Sequence, residues 1–199
     1  NQHGVHSPFV FDLVTKCFYD KKSKPEYLIL KQYRNSLLEN KNFIEVTDFG
    51  AGSKVFKSNK RAISKIAKTA GISSKRAKLL FRITNYFQPD SILEIGTSLG
   101  LATSAISLGN ENATITTLEG CPETIAIAKE RFQVSGFKLI DVKFINSDFS
   151  SYLSNLKLDS TKNNQEMQTL KLKPQIFDLV YFDGNHSKKA TLEYFELLL

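Results

Sequence analysis

Five residues in the second half of the chain have the types and positions for chemistry: Glu94, Glu119, Asp148, Asp183 and His186. Each of the four acids closes a short apolar run, as a side chain at the carboxyl end of a strand would. A carboxylate there can take an ammonium group, a diol or a metal ion, and an imidazole beside one can move a proton near neutral pH. Glu94 lies in Ser91-Ile-Leu-Glu-Ile-Gly-Thr-Ser-Leu-Gly100, and Leu101-Ala-Thr-Ser-Ala-Ile-Ser107 follows with helical periodicity. That order is the strand, loop and helix of a nucleotide site. Gly96 suits a sharp turn at positive φ, while Gly100 lets the helix pack closely and a ligand approach the backbone.

Charge narrows the ligand. A dinucleotide sets its pyrophosphate on the helix N-terminus behind G-x-G-x-x-G, whereas this chain has G-x-x-x-G with Glu94 two residues before the first glycine. An anion there opposes a pyrophosphate and suits a ligand with an ammonium group. S-adenosylmethionine carries a cationic amino group and a sulfonium, and no phosphate.

Three more strand ends follow. Ala113-Thr-Ile-Thr-Thr-Leu-Glu119 ends in an acid 25 residues beyond Glu94, placed for a ribose diol, and Gly120-Cys121-Pro122 turns abruptly into a helix. Val142-Lys-Phe-Ile-Asn146 ends in Ser147-Asp148-Phe149, and Phe177-Asp-Leu-Val-Tyr-Phe182 ends in Asp183-Gly-Asn-His186. The series from Glu94 to His186 resembles the class I S-adenosylmethionine-dependent methyltransferases, in particular their catechol O-methyltransferase-like branch, over about residues 80 to 199. The resemblance implies that Glu94, Gly96, Thr97, Ser98 and Gly100 line the cofactor, that Glu119, Gly120 and Cys121 border its ribose, and that Asp148 and Phe149 meet its adenine. It further implies that Asp183 reaches the cofactor and, in metal-dependent relatives, is the first ligand of a divalent cation, Mg²⁺ or Ca²⁺, whose other ligands would lie beyond Leu199. His186 is the general base if no metal binds. The acceptor would be a small molecule methylated on oxygen.

Composition sets the frame. At 199 residues with 41% hydrophobic content, the chain can build a real core. No apolar run approaches a membrane span and no signal-type segment opens the chain, so the expectation is a cytoplasmic protein without a membrane partner. Cys17 and Cys121 have no metal-ligand spacing and read as buried thiols. The net charge of +7 is uneven: residues 1–90 hold 17 Lys and Arg against 7 Asp and Glu, and ten basic residues with no acid run from Lys54 to Arg82. That stretch is a solvated basic face or a surface for an anionic partner.

The elements ahead of the site are helical. Ser7 and Pro8 open a helix to about Tyr19 with Val10, Leu13, Val14 and Cys17 on one face, and Pro25 opens another carrying Leu30, Tyr33, Leu37 and Leu38. His3 and His6 read as an arm on the domain. Phe43 to Ser53, with its acid and two glycines, reads as a flexible loop over the site. Residues 61–87 form two helices joined at Gly71-Ile-Ser73, with Ser74, Lys75, Arg76 and Lys78 on what would be the reading helix of a helix-turn-helix-like pattern. After the site, Ile125, Ala128 and Phe132 face the sheet on a helix closed by Gly136. Residues 150–158 form a short helix, 159–169 a polar loop, and a last helix carries Leu192, Phe195 and Leu198 inward.

The expected fold is α/β, a Rossmann-like doubly wound parallel sheet behind a helical N-terminal segment. The division is residues 1–80, basic and serving as a lid or in a homodimer, and 81–199, the cofactor-binding domain. The resemblance implies a sheet ordered 3-2-1-4-5-7-6, of which this chain supplies the first four strands, so the numbered segment is expected to be part of a longer product and incomplete as a catalyst. Two other readings stay open: a nicotinamide-dependent oxidoreductase, and a DNA-binding regulator acting through residues 61–87.

Overall fold

The computed structural model describes residues 7–47, 58–135, 137, 142–161 and 176–199. His3, His6, Asp48, Gly50, Gly52, Gly136 and residues 162–169, about which the sequence raised expectations, lie outside them. The Ser7 hydroxyl accepts the Val10 amide proton, and Pro8 takes the first helical position, where its missing N–H leaves nothing unpaired. Helix α1 (Pro8–Asp12) runs on as a π-helical turn, Leu13–Phe18, in which the Tyr19 amide reaches back to the Val14 carbonyl. That wider turn rotates the apolar face. Cys17 is buried, but Val10, expected to point inward, is exposed beside Phe9 and Phe11.

Helix α2 (Glu26–Glu39) buries Leu30, Tyr33 and Leu37, whose spacing puts them on one stripe. The expected loop at Phe43 is in part a strand. Phe43–Glu45 (β1) pairs antiparallel with Lys60–Ala62 (β2), setting Glu45 opposite Lys60. The pairing joins segments too short for either to carry a periodic signal. Helices α3 (Ile63–Thr69) and α4 (Ser74–Phe87) follow, the second capped by the Ser73 hydroxyl on the Arg76 amide.

Strands β3 (Ser91–Ile95), β4 (Thr114–Glu119), β5 (Val142–Asn146) and β6 (Leu179–Phe182) form a parallel sheet in the order β5-β4-β3-β6. This is the 3-2-1-4 arrangement, with the chain reversing direction across the sheet between β3 and β6. β6 begins two residues later than the apolar run suggests. The Asp178 carboxylate instead turns back to accept the amide protons of Asp90 and Ser91, at 3.0 and 2.9 Å.

Alternation along the strands divides the core. Ile92 and Ile115 pack on one face with α5 (Leu101–Gly109) and with Phe132 of α6 (Pro122–Val134), where Ile125 and Ala128 are also buried. Leu93, Ile95 and Leu118 pack on the other with α7 (Phe149–Thr161) and α8 (Lys188–Leu198). The start of the expected polar loop, 159–161, is therefore helical. On α8 the buried residues are Ala190 and Tyr194, whereas Leu192 and Phe195, expected inward, are exposed. Tyr194 sets that phase by meeting the Phe149 ring edge-on at 5.9 Å.

The N-terminal helices share the first of these cores. Leu30, Tyr33 and Leu37 of α2, Ile63 and Ile66 of α3, and Leu80 and Phe81 of α4 lie in one cluster with Ile92, Ala102 and Ile115. Gly71, between α3 and α4, has no room for a side chain because a Cβ would run into the Leu101 side chain. Among the described residues, no helix is long and apolar enough to cross a membrane.

Candidate functional site

The site is built at the carboxyl ends of β3, β4 and β6. Gly96 follows β3 at φ 107°, and its amide and that of Thr97 both donate to the Leu118 carbonyl at 2.9 Å. A Cβ on Gly96 would stand 2.7 Å from the Asp183 carbonyl carbon and the Gly184 nitrogen. Glycine is thus required where the β3 and β6 loops touch. Gly100, at φ 77°, has its side-chain space taken by the Tyr33 hydroxyl. The close approach it permits is therefore to a helix of the N-terminal segment.

Glu94 is fully buried, and its Oε2 accepts hydroxyl protons from Thr103 at 2.5 Å and Thr117 at 2.6 Å. Since the Thr117 proton is committed to Glu94, the 2.6 Å contact between Thr97 and Thr117 has Thr97 donating. Oε1 has no partner among the described residues. Burial pushes the Glu94 pKa up to about 8, the two threonines oppose the shift, and the charges of Asp183 and Glu119 add to it. An unpaired buried carboxylate is costly, so the site favours a cation or a proton at Oε1.

Glu119 ties two loops together. Its Oε2 accepts the Ser98 amide proton at 2.8 Å and its Oε1 that of Cys121 at 3.0 Å. Ser98 sits at φ 47° and needs such an anchor. The Asn146 side-chain amide donates to the Glu119 and Gly120 carbonyls at 2.7 and 2.9 Å, fixing the turn. The buried Cys121 thiol faces the Glu45 carbonyl of β1 at 3.7 Å. Hence β1 lies next to the Glu119 corner.

Asp148 is exposed and caps α7, its carboxylate accepting the Ser151 amide proton at 2.9 Å, which holds its pKa below the usual value. The Phe149 ring lies under Gly184, where a Cβ would come 2.5 Å from the ring. Asp183 is half-buried and His186 exposed. Burial raises the Asp183 carboxyl to about 6, against the nearby charges of His186 and Arg76 and a hydrogen bond with Tyr181. The Tyr181 phenol is likewise held above its ordinary pKa by burial, then by Asp183 and Glu94. Among the described residues no group of three or more His, Cys, Asp and Glu is arranged to hold a metal ion. Asp183 would supply one hard oxygen ligand to a divalent cation, with His186 as its charged neighbour.

The structure therefore brings Glu94, Gly96, Thr97, Ser98, Gly100, Glu119, Gly120, Cys121, Asp183 and His186 to one end of the sheet. Asp148 and Phe149 stand at its margin as a helix cap and a floor under Gly184. Sequence reasoning missed Thr103 and Thr117, because each sits among other hydroxyl residues, Ser104 and Ser107 on the helix and Thr114 and Thr116 on the strand, and nothing local singles it out. It missed Tyr33 as a site residue, a role with no local signal, and it read Arg76 as part of a basic stretch and of the helix-turn-helix-like pattern, not as a neighbour of Asp183.

A family model described as a methyltransferase domain matches residues 93–199. Among solved structures, the fold is similar to SAH-bound methyltransferase PaMTH1 of Podospora anserina, with 18% identity, TM-score 0.57, and 98% of this chain and 64% of that one covered. It is also similar to an O-methyltransferase from Bacillus cereus in complex with SAH, with 16% identity, TM-score 0.54, and coverage of 95% and 66%. A third is the O-methyltransferase TomG of Streptomyces achromogenes, involved in tomaymycin synthesis and complexed with SAM, at 17% identity, TM-score 0.54, and coverage of 95% and 65%. The chain thus spans 64% to 66% of the length of these three. A comparison with curated proteins gives no match.

Proposed function

The chain belongs to the methyltransferase-domain family, and from that premise we propose that it transfers a methyl group from S-adenosylmethionine to an oxygen of a small-molecule acceptor. The observation that carries this reading is the charge at the three strand ends. Glu94, Glu119 and Asp183 stand close enough that the last two raise the pKa of the first. Such a site repels a pyrophosphate and favours a phosphate-free cation. The buried, unpartnered Oε1 of Glu94 fits the same ligand.

When bound, S-adenosylmethionine supplies a methyl group made electrophilic by the sulfonium. The chain's own residues do the rest. Glu119, already oriented by the Ser98 and Cys121 amides, takes the ribose hydroxyls. Glu94, which holds a proton in the ligand-free fold, would release it when a cationic group arrives at Oε1, so that its carboxylate then pairs with the ligand beneath the loop. At the β6 end, a ring nitrogen of His186 takes the proton from the acceptor hydroxyl, and Asp183, within electrostatic reach, stabilises the imidazolium formed. Holding the acceptor oxygen against the methyl could supply on the order of 7–11 kcal/mol of the barrier.

Calorimetric titration with S-adenosylmethionine, NADH and duplex DNA tests the reading. Binding of S-adenosylmethionine alone is expected. Binding of NADH or DNA in its place would overturn it.

A further inference from the structure

Tyr33 of α2 is 2% exposed, and its hydroxyl donates to the Leu99 carbonyl at 2.9 Å across 66 residues of sequence. Leu99 lies in the loop after β3, between two left-handed residues, Ser98 at φ 47° and Gly100 at φ 77°. The other half of the same peptide group, the Gly100 amide, donates to the Thr97 carbonyl at 2.9 Å. Because the peptide unit is planar and stiff, these two bonds fix its orientation, and a flip would break both.

The ring that delivers the hydroxyl is held in turn. Phe132 and Phe137 meet it edge-on with centroids at 6.1 and 5.5 Å. Burial keeps the phenol pKa above its ordinary value, so the group remains a donor. A Cβ on Gly100 would stand 2.7 Å from the Tyr33 oxygen but 3.7 Å from the ring carbon that bears it. The next residue, Arg34, donates to the Ile72 carbonyl at 2.6 Å and the Ala67 carbonyl at 3.4 Å. One turn of α2 therefore holds both the loop after β3 and the turn that starts α4.

Resting on the reading of that loop as the S-adenosylmethionine site, we propose that Tyr33 is a positioning residue for cofactor binding, its hydroxyl clamping the Leu99–Gly100 peptide in the orientation that binds. The N-terminal helices are on this account part of the cofactor site. Without the clamp, the ligand itself would have to order a loop with two left-handed residues, and affinity would fall by that ordering cost.

Tyr33→Phe removes one oxygen and keeps the ring. On the full chain without ligand, the Gly100 amide is expected to exchange with solvent about tenfold faster, the scale of one buried hydrogen bond, with the β3 amides unchanged. Unchanged Gly100 exchange, or equal loss of protection along β3, would overturn the clamp. Calorimetry with S-adenosylmethionine should show a Kd weakened by about the same factor. A wild-type chain that binds no S-adenosylmethionine would instead overturn the cofactor reading, whatever the exchange shows. A double-mutant cycle closes the test: Gly100→Ala should cost less affinity in the Tyr33→Phe background, where the clashing oxygen is gone. Equal costs in the two backgrounds would overturn the proposal.

Discussion

The Ser98 amide donates to the Glu119 carboxylate at 2.8 Å, joining the loop after β3 to the end of β4. Glu119 thereby shapes one loop while its position suits the ribose of a ligand. Glu119→Ala should weaken S-adenosylmethionine binding by about 1.5–3 kcal/mol, the range for a hydrogen bond to a charged group. Calorimetry on a protein with unchanged circular dichroism checks this, and unaltered affinity would remove Glu119 from the site.

Glu94 makes stability depend on pH. Its carboxyl titrates at about 8 in the fold against a reference value of 4.5, so between those values the folded state holds a proton that the unfolded chain has released. Stability from this group is complete below about pH 4.5 and declines as pH rises toward 8, with a limiting slope of about 1.4 kcal/mol per pH unit. Denaturant melts of the ligand-free protein from pH 5 to 8 should show the decline, and Glu94→Gln should flatten it. An equal slope in the variant would assign the effect elsewhere.

Two glycines should respond unequally to alanine. A Cβ on Gly96 would meet the backbone of Asp183 and Gly184 at 2.7 Å, from a residue at φ 107°. The left-handed backbone alone should cost about 1–3 kcal/mol. At Gly184 the nearest obstacle is the Phe149 ring, a side chain that can shift. Melting temperatures should therefore fall further for Gly96→Ala than for Gly184→Ala; the reverse order would contradict the close contact of the two loops.

The acceptor end distinguishes two mechanisms. With His186 as base, His186→Ala should lower the methyl-transfer rate by about 10²–10⁴, and EDTA should leave the wild-type rate unchanged. A rate abolished by EDTA and restored by Mg²⁺ would transfer the role to Asp183 as a metal ligand. Indifference to EDTA and to substitution of either residue would leave neither role standing.

The parallel sheet and the acids at its ends could be read from the chain, because each strand is a short run rich in apolar or β-branched residues and each acid sits within two residues of where that run stops. Such patterns are local, and burial repeats them with period two or 3.6. The doubly wound class and the placement of Glu94, Glu119 and Asp183 at one end of the sheet followed from that order. What the sequence could not carry were contacts between distant segments. The pairing of Phe43–Glu45 with Lys60–Ala62, the phase of α8, and the packing of α2 to α4 into the sheet's own core depend on neighbours far along the chain. So does the meaning of Glu94: its position made it a candidate to meet a cation, but only tertiary packing enclosed it beside Thr103 and Thr117, removed its water, and raised its pKa. Tyr33 shows the limit most plainly, since a tyrosine on a helical stripe predicts burial, whereas its bond to Leu99 exists only because the fold brings α2 against the loop.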